Sequence, residues 1–143
     1  MSRYDYKQFA GVKVVLLNND SIIAIQRDNK PGLRFANMWD LPGGGREGNE
    51  SPFETAKREV FEELTMTLNE SDLFYQKEYP AMVEKGEIAY FLAITISQAQ
   101  IDSIVFGDEG QGWKLQPIQE FLDDDSIVPF LRGRIQDYLA ATK

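Results

Sequence analysis

The segment that most constrains this chain is residues 44–66, where a glycine turn directly precedes a helix that carries glutamates on one side. Three consecutive glycines at positions 43–45 allow backbone angles and close approaches that side chains would forbid. Ser51 is suited to cap the helix, Pro52 suits the first helical position, and Glu54 completes the capping-box pattern. The sequence therefore predicts a helix that begins at Pro52, directly after the turn.

The predicted helix has one apolar side and one acidic side. Its apolar stripe, which should pack on a sheet, consists of Phe53, Ala56, Val60 and Leu64. Glu59, Glu62 and Glu63 fall on an adjoining arc of roughly 100°, because residues three and four apart are neighbours on a helix. Like charges at such positions destabilise a helix by about 0.2 to 0.5 kcal/mol per pair, so the three carboxylates favour binding of a cation. Mg²⁺ prefers oxygen ligands and suits a few carboxylates with one backbone carbonyl.

Composition limits the chemistry that this site can use. The 143 residues include neither cysteine nor histidine, so disulfides, thiolate nucleophiles and imidazole bases or ligands are excluded. Catalysis must then use carboxylates, hydroxyls, Lys, Arg or a metal. Two or more divalent cations could orient a water and neutralise the oxygens of a diphosphate, while a carboxylate takes the proton of the attacking water.

The formal net charge of −8 bears on the partners of the protein. Affinity for long polyanions comes mainly from Lys and Arg, so we expect no extended nucleic acid as a partner. A small phosphorylated substrate would also be repelled unless a cation lay between it and the carboxylates, so acidity and a metal requirement support one another. The alternative is that the charge only favours solubility.

Length and hydropathy indicate one soluble domain over residues 1–143. The longest apolar run, residues 88–96, is about half of what a membrane-spanning helix needs, and the N-terminus lacks the apolar stretch of a signal peptide. We therefore expect a cytoplasmic protein without a membrane partner, as a monomer or a homodimer.

Runs of β-branched and aliphatic residues predict a mixed sheet between helical layers, an α/β fold. The predicted strands are residues 11–18, 21–27, 72–78, 88–97 and 112–116, the first two forming a hairpin through Asn18, Asn19 and Asp20. The strand at 88–97 is apolar on both faces and should be central. A short helix is predicted over 117–122, and an amphipathic C-terminal helix includes Ile127, Val128, Leu131, Ile135, Tyr138 and Leu139.

The glycine turn and acidic helix together resemble the Nudix box, the signature of hydrolases that cleave a diphosphate linked to a nucleoside or a similar group. Five residues separate Gly44 from Glu50, seven more precede Arg58, and the run Arg-Glu-Val-Phe-Glu-Glu follows at 58–63. The resemblance implies the family's α/β/α sandwich with a mixed β-sheet, a Mg²⁺ cofactor that Mn²⁺ could replace, and a small nucleotide substrate.

By position, the resemblance implies that Glu59, Glu62 and Glu63 bind the metals, with Gly43 or Gly44 lending a carbonyl. Glu59, Glu63 and Arg58 are then the catalytic candidates within the box. The planar fork of Arg58 is expected to hold a carboxylate bidentately and to fix the loop against the helix, with Glu50 in a similar supporting role.

A second segment, FGDEGQGW at 106–113, resembles the Glu-Gly-Gln segment that MutT-like members of the family carry late in the chain. Glu109 is therefore a candidate for an additional metal ligand or for the catalytic base. The alternative, a plain acidic turn rich in glycine, is equally compatible with so short a segment.

One position departs from the family's pattern. Thr65 stands where the box usually has glycine, which normally ends the helix in a left-handed conformation. Because that conformation costs another residue on the order of 1 to 2 kcal/mol, we expect the helix to exit through a different turn.

The substrate is expected to contact the polar loop at 28–37 and the residues that follow it. The candidates are Arg34, Phe35, Trp39 and Gly44, although each aromatic residue could equally serve packing. The MutT-like segment favours hydrolysis of a (d)NTP to the monophosphate and pyrophosphate. The asparagine that reads the base in MutT aligns with Ile127, which weakens a role in removing oxidised guanine nucleotides. ADP-ribose, dinucleoside polyphosphates and a non-catalytic nucleotide-binding role are the alternatives.

Overall fold

The computed structural model describes residues 4–82 and 84–142. Seven strands within this part of the chain form one sheet in the order β3-β2-β1-β6-β5, with β4 paired to β1 and β7 paired to β2. The strands are β1 (Gly11–Asn18), β2 (Ser21–Gln26), β3 (Trp39–Asp40), β4 (Gly43–Gly45), β5 (Leu73–Pro80), β6 (Ile88–Thr95) and β7 (Gly112–Pro117). The helices are α1 (Pro52–Leu64), α2 (Gln98–Asp102), α3 (Ile118–Asp123) and α4 (Leu131–Ala141), with a single 3₁₀ turn at Glu70–Asp72.

The predicted hairpin is present, and the sheet is mixed as expected. β1 and β2 are antiparallel, and Asn19 in the turn between them adopts a φ of 53°, which asparagine tolerates better than most residues. β1 runs parallel to β6 along its length, whereas its other neighbours, β2 and β4, are antiparallel. β6, predicted to be central, lies between β1 and the edge strand β5; it is an interior strand, as its two apolar faces indicate, and β1 is the middle strand of the order.

The sheet buries an apolar layer on each face, which gives the predicted α/β/α sandwich. The face that packs on α1 is built from alternate residues of β1 together with the apolar stripe of the helix, namely Val12, Val14, Leu16, Phe53, Ala56, Val60 and Leu64. The opposite face packs on α3 and α4 through Val15, Ile22, Phe91, Phe121, Leu131, Ile135 and Tyr138. Because successive strand residues point to opposite faces, one strand serves both layers.

The C-terminal helix is shorter than predicted. It begins at Leu131, and the expectation that Ile127 and Val128 belong to it is wrong. Pro129 disfavours helical angles at the residue before it, so Val128 instead donates its N–H to the carbonyl of Trp39 at 2.9 Å, and Ile127 bridges Trp39. The short elements β3, β4 and α2 were not predicted.

None of the helices in the described residues combines the length and the apolar character that crossing a bilayer requires.

Candidate active site

Helix α1 begins as the sequence predicts. The Ser51 hydroxyl accepts a hydrogen bond from the Glu54 N–H at 3.1 Å, and the Glu54 carboxylate accepts one from the Ser51 N–H at 2.8 Å. This reciprocal capping box satisfies two amides that would otherwise lack partners at the helix start. The first turn of the helix, and with it the direction of the glutamate side, is thereby fixed by local sequence.

The end of α1 differs from the expectation. Thr65 takes the left-handed conformation, with φ 58° and ψ 29°, so the prediction of a different turn is wrong. The Thr65 hydroxyl donates to the carbonyl of Val105 at 2.9 Å, and the Thr65 N–H donates to the carbonyl of Phe61 at 2.8 Å. A polar side chain with a partner at this position offsets part of the cost that glycine would avoid.

Arg58 joins the box loop to the helix. Its Nε and Nη2 donate to the two oxygens of Glu50 at 2.8 and 3.2 Å, which is the bidentate fork that the sequence analysis expects. Nη2 also donates to the carbonyl of Gly45 at 2.7 Å, and Nη1 donates to Glu59 at 3.0 Å and to Glu62 at 3.2 Å. Nη1 also lies 3.3 Å from a carboxylate oxygen of Glu47, so one guanidinium contacts four carboxylates and the glycine turn.

Glu50 is engaged on both oxygens and has little capacity left for a ligand. Besides Arg58, it accepts from the hydroxyl of Thr55 at 3.0 Å and from the N–H of Glu47 at 2.9 Å. The hydrogen bonds from Arg58, the largest cause, lower the pKa of Glu50 and keep it ionised. Its geometry is that of a residue that holds the loop in place.

Glu59 lies against the glycine turn. A Cβ built on Gly44 would collide with the Glu59 carboxylate, so a larger residue at position 44 would displace that carboxylate from its place beside the main chain. Burial raises the pKa of Glu59, the hydrogen bond from Arg58 opposes this shift, and the charges of Glu62 and Glu109 add to it.

Glu63 is the most perturbed carboxylate of the site. Its Oε1 accepts the N–H of Gly43 at 3.1 Å, and burial raises its pKa to about 8. The Gly43 hydrogen bond and the charge of Lys13 lower the pKa, but less than burial raises it. Without a bound cation, burial therefore favours the protonated form of Glu63, and a cation beside it would favour the carboxylate.

Two of these carboxylates, Glu59 and Glu63, line one cavity, which we term the acidic cavity. It has a volume of about 340 Å³, and its wall includes Glu59, Glu63 and Glu109 together with Gly43, Gly44, Gly45, Lys13, Arg27 and Asp40. The structure thus brings Glu109 from the distant segment at 106–113 to the box. Glu62 is absent from this wall: its side chain is 55% exposed and pairs with Arg58 on the outer side of α1.

The segment that carries Glu109, residues 104–111, docks on the C-terminal end of α1. Gly107 donates its N–H to the carbonyl of Glu63 at 2.9 Å, and Val105 donates to the carbonyl of Leu64 at 3.0 Å. These bonds satisfy carbonyls that a helix end leaves without partners. At the other end, the Gln111 side chain donates to the carbonyl of Arg27 at 2.8 Å and to Asn37 Oδ1 at 2.7 Å.

The donor set fits a hard divalent cation. It offers carboxylate oxygens and the main chain of Gly44, and the wall includes no histidine, cysteine or methionine. Within the described residues, no three carboxylates are gathered closely enough to form a complete metal cage. A cation that keeps several waters and takes substrate oxygens, as Mg²⁺ does, requires fewer protein ligands than such a cage provides.

A buried ion cluster lies at the rim of the acidic cavity, and no sequence pattern had predicted it. Asp40 is 5% exposed and accepts from Lys13 Nζ at 2.8 Å and from Arg27 Nη1 at 3.2 Å. Its other oxygen accepts the N–H of Leu41 at 2.7 Å. Lys13 was visible in the sequence as a lone charge within the apolar strand GVKVVLLN, which is the signal that could have identified it.

A second cavity, which we term the aromatic cavity, adjoins the first and has a volume of about 270 Å³. It shares Lys13, Arg27, Asp40, Gly44 and Gly45 with the acidic cavity. The remaining wall includes Arg34, Phe35, Val128, Phe130, Met82 and Arg134. The rings of Phe35 and Phe130 lie 6.0 Å apart between centroids, and the Arg34 guanidinium lies 4.9 Å from the Phe35 ring.

The four predicted substrate contacts are placed unequally. Arg34 and Phe35 line the aromatic cavity, and Gly44 lines both cavities. Trp39 lines neither of the two; its ring lies 4.1 Å from the Lys114 ammonium on the far side of β2, a packing position. Phe130 and Arg134 were missed, because α4 lies far from the box in sequence and meets it only in the folded sheet.

Comparison with known proteins identifies the family. The profile of the NUDIX domain matches residues 7–137. An RNA pyrophosphohydrolase of Mesorhizobium japonicum is 26% identical over 152 residues, covering 91% of this chain and 87% of the relative. An RNA pyrophosphohydrolase of Rhodopseudomonas palustris is 29% identical over 156 residues, covering 92% of this chain and 86% of the relative.

Solved structures share the fold. A MutT protein from Methanosarcina mazei superposes with a TM-score of 0.74 at 21% identity, covering 98% of this chain and 99% of that one. A bifunctional NMN adenylyltransferase/ADP ribose pyrophosphatase from Francisella tularensis, complexed with AMP and a Mn ion, gives 0.72 at 21% identity; the match spans 97% of this chain but 43% of that one. Since the NUDIX profile spans nearly the whole chain, this protein belongs to the Nudix family and is a pyrophosphohydrolase.

Proposed function

We propose that this protein hydrolyses a nucleoside triphosphate to the nucleoside monophosphate and pyrophosphate, with Mg²⁺ as its cation. The observation that carries the proposal is the pairing of two adjoining cavities of different character. One is lined by carboxylates and the glycine turn, and the other by Phe35, Phe130 and arginines. A nucleotide has the same two parts, a diphosphate that needs a cation and a planar base that suits an aromatic wall.

Glu59, Glu63 and Glu109 would hold the cation from the acidic cavity, with the Gly44 carbonyl beside them. Glu62 would join them only from the outer side of the helix. A bound divalent cation supplies charge neutralisation at the diphosphate and favours nucleophilic attack by water. The family generally uses divalent metals, and Mn²⁺ would substitute where Mg²⁺ is absent.

The side chains of this chain supply the remaining steps. Lys13 and Arg27 line both cavities and would neutralise the phosphate oxygens where base and diphosphate meet. Glu63 is the first candidate for the base, since Oε1 is bonded to Gly43 and Oε2 remains to take a proton from the attacking water. Glu109 is the second. Arg58 acts through the carboxylates that it orients, so we assign it a positioning role.

A second candidate is removal of pyrophosphate from the 5′ end of an RNA. It is favoured by the two relatives described as RNA pyrophosphohydrolases, each of which matches most of this chain. The net charge of −8 opposes long contacts with a polyanion, so such a substrate would be held by its terminal nucleotide.

The test is a substrate panel with product identification by mass. The panel contains the nucleoside triphosphates, oxidised guanine nucleotides, ADP-ribose, a dinucleoside polyphosphate and a 5′-triphosphorylated oligoribonucleotide, each with Mg²⁺, with Mn²⁺ and with EDTA. We expect monophosphate and pyrophosphate from a nucleoside triphosphate, with no product in EDTA. Glu63→Gln should lower kcat by about 10²-fold or more, the size of a lost general base.

The exposed Glu120→Gln variant, which makes the same change on α3 outside both cavities, is the matched control and should retain full activity. Turnover of the oligoribonucleotide alone would replace the first proposal with the second. Turnover of ADP-ribose or of the dinucleoside polyphosphate alone would overturn both. Nucleotide binding without any product would indicate a non-catalytic sensor and contradict the proposal.

A further inference from the structure

Arg134 is a buried cation for which the proposed reaction has no assigned role. It lies on α4 and is 6% exposed, although arginine is rarely buried without a paired carboxylate. Within residues 4–82 and 84–142, no carboxylate lies within salt-bridge distance of its guanidinium. Burial lowers the pKa of Arg134, the direction expected for a cation that has lost water without gaining an anion.

Two aromatic rings hold the guanidinium in place. Its central carbon lies 4.6 Å from the ring centroid of Tyr79 and 4.6 Å from that of Phe130. Such cation–π contacts use the flat faces of the guanidinium, so its hydrogen bonds must leave through the edge, in its plane. Part of that edge is used, since Nη2 donates to the carbonyl of Pro80 at 3.1 Å.

Arg134 also lines the aromatic cavity. Phe35 and Phe130 lie in the same wall, and its small or apolar residues include Gly11, Val12, Ala89 and Val128. None of the Arg134 nitrogens is among the buried side-chain atoms without a hydrogen-bond partner. The Arg134 donors that make no hydrogen bond are therefore accessible, and the cavity that the side chain lines is the surface beside them.

A guanidinium donates hydrogen bonds and accepts none, which restricts what it can recognise. Guanine presents two adjacent acceptors, O6 and N7, on one edge, and the bidentate contact of arginine with that pair is a common specific contact to a base. Adenine presents N7 beside the N6 amino group, a donor that would face the donors of arginine. Cytosine likewise presents an amino group on the corresponding edge.

We propose that Arg134 selects the base: its free edge donates two hydrogen bonds to O6 and N7 of a guanine-type nucleotide whose diphosphate occupies the acidic cavity. The inference rests on the proposed function, since it names the substrate class of the same site. The rings of Phe35 and Phe130 hold the base, and the arginine sets which base edge is favoured.

Binding of nucleoside monophosphates in EDTA tests the inference independently of turnover. We would titrate GMP, IMP and AMP by calorimetry into wild type, Arg134→Met, Arg134→Lys and Arg132→Met. IMP keeps O6 and N7 but lacks the 2-amino group, so it isolates the edge in question. Wild type should bind GMP and IMP about 10-fold or more tightly than AMP, within the range measured for one bidentate contact to a base.

The variants separate selection from simple support of the fold. Arg134→Met should bring the ratio of AMP to GMP dissociation constants close to one, and Arg134→Lys, which keeps the charge without the planar fork, should lower it substantially. Arg132→Met removes a charge from the same helix, where the side chain caps the carbonyls of Leu122 and Asp124 outside the cavity, and should keep the wild-type ratio. Thermal melts identify any variant that does not fold. If Arg134→Met does not fold, the ratio of dissociation constants in Arg134→Lys tests the inference.

Equal affinity for GMP and AMP in wild type would overturn the inference, as would a ratio that survives both substitutions at Arg134, or no binding of any of the three at millimolar concentration. If wild type hydrolyses no nucleoside triphosphate but still binds GMP in preference to AMP through Arg134, the proposed reaction fails and the base selection stands. The ratio of kcat/KM for GTP, ITP and ATP gives the corresponding measurement in the active enzyme.

Discussion

Thr65 shows how one side chain can replace glycine at a helix end. Its hydroxyl reaches the carbonyl of Val105, so the residue that adopts the left-handed angles also binds the next segment of the site. The usual glycine has easier backbone angles but no such contact. The departure from the family's pattern therefore preserves the helix end and adds a tether to the segment at 104–111.

Two substitutions measure the hydrogen bond of the Thr65 hydroxyl and the cost of its left-handed backbone angles separately. Thr65→Ala loses the hydroxyl and keeps the strained backbone, so the free energy of unfolding should fall by about 1 kcal/mol. Thr65→Gly loses the same hydrogen bond but relieves a backbone cost of about 1 to 2 kcal/mol, so it should be at least as stable as the alanine variant. Urea denaturation compares them; a glycine variant less stable than the alanine variant would contradict this explanation.

Glu63 makes the stability of the metal-free protein depend on pH. Its pKa is raised to about 8 in the folded state, whereas an unfolded glutamate titrates near the ordinary value of about 4.3. Between these values the folded state binds a proton that the unfolded state releases, so the free energy of unfolding falls as pH rises from about 5 to 8. The raised pKa of Glu59 acts in the same direction, and the lowered pKa of Glu50 acts only in more acidic solution.

Denaturation in EDTA at pH 5.5 and pH 8 measures this dependence. Glu63→Gln should be less sensitive to pH than wild type and more stable than wild type at pH 8, because no proton need be lost. Glu62→Gln, which changes an exposed carboxylate one position earlier, should follow wild type. Equal pH sensitivity in wild type and Glu63→Gln would show that burial of Glu63 is not the cause.

The residues that could be predicted from sequence are those whose spacing encodes their position. Glu59 and Glu63 follow from helical periodicity, and the Arg58 fork to Glu50 follows from the fixed offsets of the box. Asp40 and Arg134 could not be predicted, because neither has a local pattern. An acidic residue after Trp39 and an arginine on an apolar helix face acquire partners only when distant strands and helices meet.

At the scale of elements, the segment at 104–111 is positioned by its fit to the last turn of α1. A Cβ at Gly107 would collide with the carbonyl of Glu62, so glycine is required for the main chain to approach the helix this closely. Its N–H bond to Glu63 depends on the same approach. The glycine therefore sets the distance between the box and Glu109.

Gly107→Ala tests this dependence. The added methyl group must push the segment away from α1, which should cost about 1 to 3 kcal/mol of stability and weaken Mg²⁺ binding by moving Glu109. Gly112→Ala is the control, because a Cβ there meets nothing within 4 Å. Calorimetric titration with Mg²⁺ and thermal melts give both readouts; unchanged Mg²⁺ affinity in a folded Gly107→Ala protein would exclude Glu109 as a ligand.

Elements were predictable where their periodicity or capping was strong. The capping box predicts the start of α1, and the aliphatic runs predict β1, β2 and β6 within about two residues at each end. The start of α4 was missed, since the apolar pattern extends through Ile127 while Pro129 prevents the helix from doing so. β3 and β4 are too short to have a pattern, and only pairing with their neighbours defines them.

At the scale of the whole molecule, Asp40 couples the two cavities. Its carboxylate holds Lys13 from β1 and Arg27 from the end of β2, and both cations line both cavities. A buried carboxylate with three donors fixes both cations at the point where base and phosphates of a nucleotide would meet.

Asp40→Asn should separate binding from chemistry. The amide keeps the hydrogen bond from Leu41 but loses the charge that holds the two cations, so we expect stability to fall by about 1 to 3 kcal/mol. The KM for the nucleotide should rise more than kcat falls, because the carboxylates of the box are untouched. Steady-state kinetics measure both constants. A large loss of kcat with an unchanged KM would show that Asp40 acts in the chemical step and not in substrate binding.

The sandwich architecture was predictable because strands and helices alternate with the right periods, but the strand order was not. No local pattern specifies that β1 pairs in parallel with β6, far along the chain, or that β7 pairs with β2. The aromatic cavity depends on that order, since it collects residues from β1, the loop at 28–37, β6 and α4.

The parallel pairing of β1 with β6 has a consequence for synthesis on the ribosome. The complete glutamate helix emerges well before β6, which pairs with β1, and before Glu109, which completes the acidic cavity. A growing chain therefore exposes three carboxylates on a helix that can pack on β1 but whose sheet still lacks β6 and whose acidic side lacks the segment that carries Glu109. Specific cation and nucleotide binding should begin only once the last third of the chain has been made, so ligand binding can stabilise the finished fold and not its fragments.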